Sequence, residues 1–130
     1  MALTASATPA ILAGGRARGG TPFVVTGHST DASSADLVKA APGAGFSILI
    51  DHVILTTNVT TVDPWLQDED DNVIFGRFFG TIGAAGGPLV IDKKFPNPLK
   101  LVSNKALELA SSAAGDVSVY VEGRIQKDVG

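Results

Sequence analysis

The run FSILIDHVILTT, from Phe46 to Thr57, constrains this chain more than any other feature. Large apolar and β-branched side chains fill it, and turn residues stand on both sides, so it reads as a long strand. Strict alternation makes it apolar on both faces. Phe46, Ile48, Ile50 and Ile54 fall on one side, and Leu49, Val53 and Leu55 on the other. A strand in a two-sheet sandwich needs only one core face, so the second face must be covered. Val73–Phe79 repeats the pattern, with Val73, Phe75 and Phe79 opposite Ile74 and Phe78. Exposed apolar patches beyond a few hundred Å² are uncommon on monomers. The expectation is therefore a subunit interface built from Phe46, Leu49, Val53, Leu55, Phe75, Phe78 and Phe79, with the arm or a long loop as the alternative cover.

The rest of the chain is short strand-like runs with Gly, Pro or Asn between them. They are Thr21–Thr26, Phe46–Thr57, Asn58–Gln67, Val73–Phe79, Pro88–Asp92, Leu99–Val102, Ala106–Ala110 and Asp116–Gln126. Ala35–Ala41 fits either a helical turn or a strand. Pro64 demotes its run to an edge or a bulge. The last run has a clear period. Val117, Val119, Val121 and Ile125 share one face; Ser118, Tyr120, Glu122 and Arg124 share the other. Gly123 interrupts the apolar row and signals a bulge or a close backbone approach. About eight such strands in 130 residues predict one all-β antiparallel sandwich or barrel. It occupies residues 21–130 behind an extended N-terminal arm, residues 1–20.

That arm, MALTASATPAILAGGRARGG, is small and aperiodic. It does not have the form of a secretory signal, because its only basic residues, Arg16 and Arg18, come last and Pro9 interrupts the apolar stretch. It fits either a free terminus or a segment that orders on a partner. Ile11, Leu12, Arg16 and Arg18 are its candidate contact residues.

Composition closes several routes to chemistry. The chain has no cysteine, two histidines, one tyrosine and one tryptophan. Disulfides, thiolate zinc sites and cysteine nucleophiles are excluded. A net charge of −3 and a pI near 5.1 argue against a nucleic-acid surface. No apolar run is long enough to span a bilayer as a helix. Asp68, Glu69, Asp70 and Asp71 form the only dense charge cluster. Calcium prefers such oxygens, but the EF-hand spacing is absent and the run reads as a solvated hairpin tip. Asp51 and His52 are adjacent on a strand, so alternation sends them to opposite faces and away from a shared substrate. His28 sits in a polar stretch and reads as surface. Trp65 with Tyr120 could stack a sugar ring. No catalytic residue, cofactor or metal ligand is assigned.

Two stretches carry a resemblance. Leu37–Leu55 ends a strand in small residues, turns through Pro42-Gly43-Ala44-Gly45 and enters the long apolar strand. Pro98–Gln126 runs through Pro98–Leu101, an Asn104 turn, Ala106–Leu109, a Ser112–Gly115 turn and the closing Val117–Val121 strand. Together they resemble short structural proteins of tailed-bacteriophage virions. The resemblance covers about half the chain, and its motifs are turn chemistry and alternation. It implies a jelly-roll sandwich, assembled as a homotrimer, that decorates the capsid exterior as a cement protein. The implied partner is the phage major capsid protein, with no nucleic acid, membrane, cofactor or enzymatic activity. Related trimers form head fibres or tail tips that bind receptors or carbohydrate. The run Asp68–Asp71 departs from the pattern.

Overall fold

The computed structural model describes residues 4–8, 20–59, 61–77 and 89–128. Among them are nine strands and no helix. The strands are β1 (Thr4–Thr8), β2 (Thr21–Ser29), β3 (Asp36–Lys39), β4 (Phe46–Thr57), β5 (Pro64–Asp68), β6 (Val73–Phe75), β7 (Leu89–Lys100), β8 (Leu107–Ser111) and β9 (Val117–Lys127). They form two antiparallel sheets, ordered β1-β2-β9-β4-β7 and β3-β8-β5-β6. The all-β sandwich expected from the turn spacing is the fold.

The pairing is nested. β2 pairs with β9, β3 with β8, β4 with β7 and β5 with β6. One long hairpin folded over on itself gives this order. Between the sheets lie Phe23 and Val25 from β2, Ile48, Ile50, Val53 and Leu55 from β4, and Val117, Val119 and Val121 from β9. Val38, Leu66, Leu107 and Leu109 meet them from the second sheet. Full burial of each such side chain stabilises by roughly 1.5–3 kcal/mol before entropy is counted.

Several boundaries differ from the sequence expectation, each for a physical reason. Part of the expected arm, Thr4–Thr8, pairs along β2 from Thr4 opposite His28 to Thr8 opposite Val24; residues 1–3 and 9–19 lie outside the described residues. Pro64 does not mark an edge. It is the first residue of β5, which lies between β8 and β6, a position where the missing N–H is tolerated. The runs Pro88–Asp92 and Leu99–Val102 are not separate strands. They belong to the single twelve-residue β7, an edge strand. Its prolines sit in an excursion, Phe95–Pro98, which owes no regular ladder bonds: Lys94 pairs with His52 and Leu99 with Ile50. The strand expected over Val73–Phe79 is Val73–Phe75 among the described residues.

The two turns that carry the virion-protein resemblance meet at one end of the sandwich. The Asn104 side-chain oxygen accepts from the Gly43 amide at 2.9 Å, and the Asn104 amide donates to the Phe46 carbonyl at 2.8 Å. Asn104 holds φ 55°, a left-handed value that Asn tolerates better than most residues.

Candidate functional site

The centre of the five-stranded sheet is irregular, and the irregularity creates the site. β4 changes register between Ile50 and His52 against both of its neighbours. On the β9 side Ile50 pairs with Gly123 and His52 with Glu122, which leaves Asp51 as an extra residue. On the β7 side the segment Phe95–Pro98 bows out against Asp51. Gly123 is required here. A Cβ at this position would stand 2.1 Å from the Leu49 carbonyl oxygen. The close backbone approach signalled by Gly123 is therefore present, and the bulge it accompanies lies on β4.

A bulge shifts the phase of alternation by one residue. Ile48 and Ile50 face the core before it; Val53 and Leu55 face the same core after it. The two-sided apolar character of Phe46–Thr57 is in large part this phase change. Val53 and Leu55 have no exposed surface, so they are core residues and not the interface residues expected. Leu49 does lie on the outer face, opposite Arg124 and Lys100, and is buried there. Phe46 is 39% exposed. Phe75 packs against the core and meets Phe95 edge-on, ring centres 5.4 Å apart. Phe78, Phe79, Ile11, Leu12, Arg16 and Arg18 lie outside the described residues.

The same phase change brings Asp51 and His52 to one depression, correcting the expectation that they point apart. Their neighbours there are Lys94, Phe95 and Pro96 of β7 and Tyr120 and Glu122 of β9. The depression is open, with a volume near 580 Å³. His52 is held between carboxylates. Its Nε2 lies 2.6 Å from Asp92 Oδ1 and its Nδ1 3.9 Å from Glu122 Oε2. The Tyr120 ring stands edge-on to the imidazole at 5.5 Å, and its hydroxyl donates to Glu122 at 3.0 Å. Burial, followed by the bond and charge of Glu122, pushes the Tyr120 phenol above its ordinary pKa. Arg124 lies 3.7 Å from Asp51, and its buried Nε has no hydrogen-bond partner. These groups can hold hydroxyls from several directions. Sequence reading missed Asp92 and Glu122 because each lies on a different strand from His52. The available signals were Gly123 and the closely spaced Pro96 and Pro98.

The contiguous acidic run is structural. Asp68 is buried, and its Oδ1 accepts from the Asp70 and Asn72 amides at 2.9 and 3.0 Å. The Asn72 side-chain amide donates to its Oδ2 at 3.0 Å. Burial alone would raise the Asp68 pKa; the Asn72 and Asp70 bonds outweigh it and hold the carboxyl low. Glu69 accepts from the Ala106 amide at 2.9 Å, and Asp70 pairs with Lys105 at 2.9 Å. Asp71 accepts from Gln67 at 2.9 Å. The run is a hairpin tip that also clamps the turn before β8. No group of metal-ligating side chains fit to hold an ion occurs among the described residues. Trp65 and Tyr120 lie on the outer faces of opposite sheets and cannot share a ligand; the Arg77 guanidinium covers the Trp65 ring at 4.3 Å. His28 is exposed, on β2.

No protein-family model, curated protein or solved structure matches the chain.

Proposed function

We propose that this protein is a virion structural protein of a tailed bacteriophage, a homotrimer that binds the outer surface of the capsid and stabilises the shell without catalysis. The observation that carries the reading is the nested strand pairing, β2 with β9 through β5 with β6, which supports a jelly-roll arrangement. The contact between the Gly43 and Asn104 turns supports it, since these are the turns of the resemblance. The major capsid protein is the partner. With Thr4–Thr8 held in the sheet, residues 9–20 of the N-terminal arm supply the anchor, with Ile11, Leu12, Arg16 and Arg18 as contacts. Trimer contacts centre on Phe46 and the turn carrying Val102, which are 39% and 63% exposed. The protein assembles in the host cytoplasm and ends on the capsid exterior.

A decoration protein that binds shells but not free subunits favours the shell by RT ln(1 + [L]/Kd) per site. At a hundred times Kd this is about 2.7 kcal/mol per site. Particles carrying the protein should therefore release DNA at a higher temperature than particles stripped of it. Equal release temperatures with the protein demonstrably bound contradict the reading.

A second reading, a receptor- or carbohydrate-binding module on a head fibre or tail tip, draws on the open depression at Asp51.

A further inference from the structure

The depression on the outer face of β4 and β9 combines a shape with a mixed charge pattern. Its volume near 580 Å³ falls within the range of about 300–1,000 Å³ typical of small-ligand sites. It exists because two neighbours of one central strand break register at the same residue. Bulges are over-represented beside functional sites, where they re-aim side chains.

The lining selects among ligand classes. Asp51 and Glu122 offer acceptors, with Asp92 behind them on His52. Lys94 offers donors at the rim, and Arg124 lies against Asp51. An anion would meet these carboxylates; an organic cation would meet Lys94. A neutral polyhydroxyl ligand carries a donor and an acceptor on every hydroxyl and satisfies both signs. Pro96, exposed beside the polar groups, provides an apolar surface suited to the C–H face of a sugar ring.

We propose that the depression at the Asp51 bulge binds one pyranose ring of a neutral glycan. Glu122 and Asp51 accept from ring hydroxyls, Lys94 donates, and the ring lies against Pro96. This deepens the second functional reading and rests on the geometry of the free protein, so it stands or falls separately from capsid binding.

The test is an amide NMR titration of the whole protein. The probes are methyl glucoside, methyl galactoside and N-acetylglucosamine, in separate samples carried to tens of millimolar. Sorbitol, inorganic phosphate and putrescine serve as counter-probes. The expected result is saturable shifts at His52, Lys94 and Glu122 with at least one pyranoside. Binding should weaken about tenfold in Glu122→Gln and in Lys94→Ala, a 1.4 kcal/mol change. Val90→Ser, at an exposed position on β7, should bind as the original does. The first substitution preserves shape and the second is at an exposed side chain, so both variants should keep the fold. Four results overturn the proposal: no saturable shift with any pyranoside, equal shifts with sorbitol, preference for phosphate or putrescine, or unweakened binding in both variants.

Discussion

Two acidic clusters in this molecule have opposite fates. Asp68–Asp71 is contiguous in sequence, and every carboxylate in it is engaged by the protein itself. Asp51, Asp92 and Glu122 come from three strands, and they gather around His52 beside an open depression. The first cluster stabilises a turn; the second faces solvent with binding capacity to spare. Contiguous charge is how a chain builds a local turn, because neighbouring carboxylates reach neighbouring backbone amides. A site that can take a ligand needs groups converging from distant strands, and only the folded register brings them together.

The largest expected effect tests the frame of the open cluster. Gly123→Ala forces a Cβ against the Leu49 carbonyl at 2.1 Å, so either the bulge or the β4–β9 pairing must yield. A loss of about 3 kcal/mol or more is expected in urea unfolding, or failure to fold. A loss below about 0.5 kcal/mol would show that the bulge does not depend on this approach.

Next, the clusters should separate by stability. Asp68→Ala removes the acceptor for the Asp70 and Asn72 amides and should cost about 2–3 kcal/mol. Asp92→Ala, at an exposed edge residue, should stay within about 0.5 kcal/mol. Equal losses in the two variants would abolish the distinction between a structural and an open cluster.

Acid sharpens the same contrast by a smaller amount. The Asp68 pKa is lowered in the folded protein, so its contribution is complete above the unfolded-state value near 3.9 and is lost as pH falls through the folded-state value. Asp68→Ala should therefore unfold with a weaker pH dependence below about pH 4 than the original protein. Circular dichroism across that range checks it, and parallel acid profiles would remove Asp68 from the account.

These residues also show what the sequence made legible. Turn residues at regular spacing and the Val117–Val121 alternation sufficed for the sandwich, since local backbone chemistry writes both signals. The limits of Phe46–Thr57 were read correctly because apolar density marks them. The inward face of that strand was not, because one extra residue at Asp51 reverses the phase and nothing local announces it. Val53 and Leu55 were placed at an interface for this reason, and Asp51 and His52 were sent to opposite faces. Gly123 held half of the information, but its partner Ile50 is known only from the register. The excursion Phe95–Pro98 divided one strand into two by the same logic, because proline reads as an ending wherever its pairing is unseen.

The central functional claim is a position on a particle, and electron cryomicroscopy of purified virions tests it most directly. The account predicts threefold density on the outside of the head shell that accepts this sandwich. The Asp51 depression on the five-stranded sheet should face solvent there, and the N-terminal residues should reach the major capsid protein. Density for the protein at the tail tip, or a head surface without it, would contradict the capsid-decoration reading.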